Sequence, residues 1–323
     1  MAEVMKKGHG MMMHGRRIST RVIWTLILAG WGVSFPLCGT AGELDWRLVP
    51  SSWRWIVHID VDAIRQSPGA GRVLERFWQR SPNRAEIEAA ATLAEADLRN
   101  DLHGVTFLGL SFDPKKGAVL VRMKVNQERL LGFIKTNPEY ATRTVAGITV
   151  HRWHDAGERA FLHGCFLPGD WIVLSREGDL VDEIATSAAK EGVGSGDPFY
   201  QVRQGTYLQI HARSMDQLSV QFMSPLIRRS RRLTAALGEH QGQAFVQATF
   251  EVEGADIALN VRDALAGLLA IGKLHYADEP HYVALMDHAK VFASENRTTL
   301  VWTAPTDDVL DVLVKLVPWL GEK

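Results

Sequence analysis

Residues 54–62 read Arg-Trp-Ile-Val-His-Ile-Asp-Val-Asp, and residues 206–212 read Thr-Tyr-Leu-Gln-Ile-His-Ala. In the first stretch Trp55, Val57, Ile59 and Val61 alternate with Arg54, His58, Asp60 and Asp62, the two-residue period of a strand with one dry and one wet face. The second stretch has the same character. A similar succession of strands and helices is expected after each, so the pair decides the fold: α+β, two similar halves, each a mainly antiparallel sheet covered by helices. The halves are placed at 42–190 and 205–323. Between them residues 191–204 form a linker, opened by Glu-Gly-Val-Gly-Ser-Gly-Asp-Pro.

In the first half Asp62 is expected to cap a helix carrying Ile64, Val73, Leu74, Phe77 and Trp78, with a break at Pro68-Gly69. Ala, Glu and Leu predict a second helix over 84–102. Strands over 105–112 and 118–125 make a hairpin about Asp113-Pro114-Lys115-Lys116-Gly117. Asn126 caps a helix to Ile134, strands follow at 147–153, 159–166 and 171–175, and a helix closes the half at 178–189. In the second half the pattern predicts a basic helix at 225–237 and a hairpin, 244–252 with 256–261, about Glu253-Gly254-Ala255. A helix at 263–271, strands at 281–287, 290–294 and 298–303, and a helix led by Thr306-Asp307-Asp308 complete it.

Ahead of the body, residues 1–21 carry Lys6, Lys7, Arg16, Arg17 and Arg21 against Glu3, and residues 22–37 have no charge. A basic flank followed by a short apolar run, broken by Gly30, Gly32, Ser34 and Pro36, has the form of a signal peptide. Gly39 and Ala41 suit cleavage after Ala41, leaving residues 1–41 as a leader and no membrane span. The alternatives are an uncleaved anchor, a lipidated Cys38 and a twin-arginine leader at Arg16-Arg17, the last two poorly matched by their neighbours. The expected location is the periplasm or the outside of the cell.

The whole chain has 36 Lys+Arg and 37 Asp+Glu. Loss of five bases and one acid leaves 31 against 36, a net −5, with no basic face for nucleic acid. The run Arg228, Arg229, Arg231 and Arg232 reads as a solvated helix surface. With Cys38 gone Cys165 stands alone, so no internal disulfide forms; it reads as a small buried hydrophobe.

Catalytic motifs are missing: there is no G-x-S-x-G elbow, no H-E-x-x-H, and no P-loop lysine after Gly192, Gly194 and Gly196. No cofactor is expected. His58, Asp60 and Asp62, alternating along one strand face, are the candidate metal ligands, against the plainer reading of a solvent-facing strand. His151, His154 and Asp155 are a second imidazole-rich group, but residues three apart on a strand face opposite ways. The tryptophans of the body, Trp46, Trp53, Trp55, Trp78, Trp153, Trp171, Trp302 and Trp319, read as core ahead of a sugar-stacking surface.

Residues 55–71, Trp-Ile-Val-His-Ile-Asp-Val-Asp-Ala-Ile-Arg-Gln-Ser-Pro-Gly-Ala-Gly, resemble the opening of a group of exported bacterial proteins of unknown function. In that group Val-His-hydrophobic-Asp-x-Asp/Glu-Ala-x-Arg-x-Ser leads into the first helix. The resemblance implies export and a duplicated body, and brings no activity with it. The expected function is a non-enzymatic exported protein that binds a protein or small-molecule ligand in a groove between its halves. The alternatives are a metal-dependent hydrolase using His58, Asp60 and Asp62, and a hydrophobic-ligand carrier with an apolar cavity between sheet and helices.

Overall fold

The computed structural model describes residues 42–81, 84–113, 116–157, 159–190, 202–215 and 230–316. The leader, most of the linker, Arg228, Arg229 and Trp319 lie outside these residues. The first part of the chain supplies strands β1 (Trp55–Asp60), β2 (Leu102–Gly109), β3 (Gly117–Met123), β4 (Ala141–Val145), β5 (Ile148–Asp155), β6 (Ala160–Leu167) and β7 (Trp171–Ser175). Its helices are α1 (Val61–Gln66), α2 (Pro68–Arg80), α3 (Arg84–Leu93), α4 (Gln127–Ile134) and α5 (Gly178–Ala189). The second part supplies β8 (Thr206–Arg213), β9 (Arg232–His240), β10 (Gln243–Glu251), β11 (Lys290–Ser294) and β12 (Arg297–Pro305), with α6 (Ala255–His275), α7 (Pro280–Asp287) and α8 (Thr306–Leu316).

The protein is α+β. Among the described residues twelve strands join one antiparallel sheet in the order β11-β12-β10-β9-β8-β1-β2-β3-β7-β6-β5-β4. Strands β1 and β8, the two stretches that open the sequence reading, lie side by side at its middle, with His58 opposite Gln209 and Ile56 opposite His211.

Local chemistry sets the helix starts. Asn126 takes the Arg129 amide at 3.1 Å and begins α4, and Ser67 takes the Ala70 amide at 3.0 Å with Pro68 at the first helical position of α2. The first helix is capped by Asp60, which takes the Ala63 amide at 2.8 Å, and not by Asp62. Three apolar clusters hold the helices to the sheet. On one face Ile56, Leu108, Leu120 and Val173 meet Leu180, Val181, Ile184 and Ala185 of α5. On the other, Val105, Val119 and Val121 meet Ile87 and Ala91 of α3, with Val61 and Trp78. In the second part Phe250 and Val252 meet Ala258 and Val261 of α6. Each such fully buried aliphatic side chain contributes about 2 kcal/mol.

Several expectations are corrected. The basic helix at 225–237 fails over its last residues, because Arg232–His240 is strand β9, hydrogen-bonded on both sides to β8 and β10. The expected hairpin about Gly254 is instead the end of β10 followed by α6; β10 pairs with β9 through Gln241-Gly242. Residues 281–287 are helix α7, with Pro280 fixing its first turn. The helix over 84–102 stops at Leu93, and β4 joins the far edge unforeseen. On β1 the face expected to be wet is the more deeply buried: Ile56, His58 and Asp60 are buried and Trp55, Val57 and Ile59 half-buried. Residues 42–48 cross that face, and the sheet continues on either side of the strand.

Candidate functional site

The expected metal ligands are engaged separately. His58 spends both ring nitrogens inside the core, Nδ1 with Thr106 Oγ1 and Nε2 with the Gly42 carbonyl, each at 2.8 Å. Burial holds its pKa down to about 4. Asp60 caps α1, and burial raises its carboxyl to about 6. Asp62, on the first turn of the helix, pairs with Arg65 at 2.8 Å and His103 at 3.0 Å. Among the described residues no group of three or more His, Cys, Asp or Glu is arranged to hold a metal.

A recess of about 610 Å³ opens beside the β1–β8 seam, lined by Asp60, Ser67, Gln209, Glu239, Arg203 and Gly205 among others. Its wall is built tightly. Gly205 has φ +82°, and a side chain there would fall 2.1 Å from the Glu239 carbonyl oxygen, so glycine is required. Glu239 accepts a hydrogen bond from the Ser67 hydroxyl and another, at 2.9 Å, from the Gly69 amide. The carboxylate thereby completes the N-terminus of α2, where negative charge is favoured.

A second hollow, of about 780 Å³, differs in kind. It lies on the α3 face of the sheet and crosses β3, β7, β6 and β5. Val121 and Met123 of β3, Ile172 and Leu174 of β7 and Phe166 of β6 form the floor; Ala90, Ala91 and Leu93 of α3 and Leu130, Phe133 and Ile134 of α4 form the cover. Helix α4 buries none of its residues, so its apolar side chains face this space without filling it. Protein interiors are close-packed, and a hollow of this size and lining has the dimensions of a small-molecule site.

Polar groups gather at one end of the cavity, where β5 meets the turn of residues 136–139: Thr136, Asn137, Glu139, His151, His154 and Asp155. Asn137 holds the turn by donating to the His154 carbonyl at 2.8 Å and taking the Glu139 amide at 3.0 Å. His151 is buried and joins Tyr140 through Nδ1 at 2.8 Å, its ring edge-on to Phe166. Desolvation, and then the charge of Lys135, press its pKa down, which favours the uncharged ring. Asp155 takes the Gly157 amide at 2.7 Å.

Of the imidazole-rich group read from the sequence, His151 and Asp155 thus share a face and line the cavity. His154 also borders the cavity, its side chain packed on Phe161 and 3.4 Å from Glu139. Cys165 is buried toward α5 in the opposite core, and burial pushes its thiol up to about 12, the behaviour of a packing residue. The alanines of α3, the apolar face of α4 and the Asn137 turn have no signal in the sequence; their shared role arises only when β3 is laid beside the later run β5–β7.

No family model matches the sequence, and a search of curated proteins finds no match. Among solved structures the chain is similar to TP0453 in crystal form III, at 9% identity and a TM-score of 0.45, covering 85% of this chain and 100% of that one. Crystal form I of TP0453 gives 9% identity and a TM-score of 0.42, covering 85% and 98%. Among the described residues no helix is long and apolar enough to cross a membrane.

Proposed function

We propose that this chain is an exported, non-enzymatic binding protein that carries an apolar small molecule in the cavity between its sheet and helices α3 and α4. One observation carries the reading: about 780 Å³ of space lined mostly by Leu, Ile, Val, Ala and aromatic side chains, beneath a helix with no buried residue of its own. Water in so apolar a space finds few partners, which favours an apolar occupant. Export is supported by the basic and apolar leader of residues 1–37.

The proposal keeps the two-halves reading. Its support is the course of the sheet: β1-β2-β3 run outward from the seam on one side and β8-β9-β10 on the other, and in each part the last strand returns beside the third. The polar recess at the seam is the counterpart of the expected groove and the second place for a ligand.

The test is extraction of the purified full chain with organic solvent, followed by mass spectrometry, for wild type and Ile172→Trp. A retained apolar compound near one per chain, lost when the indole fills the floor, is the expected result. A folded wild-type chain that retains nothing and binds no added pyrene sinks the carrier reading.

A further inference from the structure

The cavity is polarised from end to end. From β3 to β5 it spans three interstrand steps of about 4.8 Å, roughly 14 Å. The β3 end offers only Ala90, Ala91, Leu102, Val121 and Met123, whereas hydrogen-bonding side chains are confined to the β5 end. A hydrocarbon would leave that end unsatisfied, and a ligand with polar groups along its length would strand them among alkyl groups; both mismatches leave buried polar groups without partners.

Resting on the carrier reading, we infer that the ligand is a single-chain amphiphile with an uncharged, hydroxyl-bearing head, its chain directed toward β3 and its head held by His151. Two observations select the head. His151 is 7% exposed, lines the cavity, and has one hydrogen-bond partner among the described residues, Tyr140 at Nδ1, leaving Nε2 for a ligand. A hydroxyl both donates and accepts, so it satisfies that nitrogen in either tautomer. Glu139 and Asp155 line the cavity, Glu139 lying 3.4 Å from His154, and no Lys or Arg among the described residues lines it to answer an anionic head. Lys135 acts on His151 from outside the lining and is exposed to solvent, where its charge is screened.

The experiment uses the full chain, with pyrene as a fluorescent occupant that has no head, displaced by glycerol monododecanoate or dodecanoate at pH 8. The glycerol ester is expected to displace pyrene roughly tenfold better, and His151→Phe to weaken the ester about tenfold relative to pyrene measured in the same variant. Equal or stronger displacement by dodecanoate overturns the inference, as does an unchanged ester affinity in His151→Phe. If pyrene does not enter the wild-type chain, or enters Ile172→Trp equally well, the carrier reading falls first and this inference falls with it.

Discussion

Ser67 and Glu239, far apart in sequence, meet at the seam of the sheet, the hydroxyl of one donating to the carboxylate of the other. The same oxygen accepts the Gly69 amide at 2.9 Å, so a side chain from β9 finishes a helix that begins after β1. Removing it leaves the first turn of α2 with an unanswered donor. Glu239→Ala is expected to lower stability by about 1–3 kcal/mol in urea unfolding, and Glu239→Gln by less. A neutral Glu239→Ala would mean that water replaces the contact without cost.

Asp60 gives a pH-dependent prediction. Its carboxyl is raised to about 6 from 3.8, so the folded state holds the proton more tightly than the unfolded chain, and charging it opposes folding as pH rises through 6. Asparagine keeps the cap and carries no charge. Asp60→Asn is therefore expected to stabilise the protein at pH 8 by about 1–3 kcal/mol and to change little at pH 4. Equal effects at the two pH values would remove the explanation.

His58 and His211 act in the opposite sense. Both are held down to about 4 from 6.5, chiefly by burial, so the unfolded chain binds their protons first. Their contribution is present above pH 6.5 and is lost as pH falls toward 4. Two such groups outweigh the single carboxyl of Asp60 over the same window, and the melting temperature is expected to drop between pH 6.5 and 4. In His58→Gln, which also loses stability at neutral pH, the drop should be shallower.

Helix α4 packs loosely, with no buried residue, and Phe133 is 41% exposed. Its amides are expected to exchange with solvent well before those of β3 or β7, and to slow on addition of pyrene or a chain amphiphile. Exchange in α4 as slow as in the core strands, with or without ligand, would show that the cover is already closed and stable.

How much of this was legible depended on whether a residue answers to its neighbours in sequence or in space. Asn126, Ser67-Pro68 and the link after Asp113 mark their elements through local backbone chemistry, and the structure follows them. Residues 232–240 contain Ala235, Ala236 and Leu237, good helix formers, yet two hydrogen-bonded neighbours hold them as β9; tertiary pairing overrides a weak local preference. Ile257, Leu259 and Val261 alternate like a strand. The residues that bury are Ala258 and Val261, three apart, and the helical period prevails. Strand β4, Ala-Thr-Arg-Thr-Val, has too few apolar residues to announce itself, as suits an edge. The polar face of β1 reads as wet because one strand cannot disclose that residues 42–48 lie across it. The cavity had no local signature either: His151 was noticed for its neighbours His154 and Asp155, and its actual company is Tyr140 and Phe166.

The outer face of α6 carries Leu268, Ile271 and Leu274, the last 77% exposed. An apolar patch of this kind favours self-association, and replacing Ile271 and Leu274 with Gln is expected to cost little stability while reducing light scattering at high concentration.

The five residue pairs joining β1 to β8 make the middle of the sheet a weld instead of a hinge. The two parts of the molecule cannot swing apart like jaws to admit a guest without tearing backbone hydrogen bonds in the interior of the sheet. Under the carrier proposal an occupant enters beneath a helix, with the plank of strands staying stiff throughout.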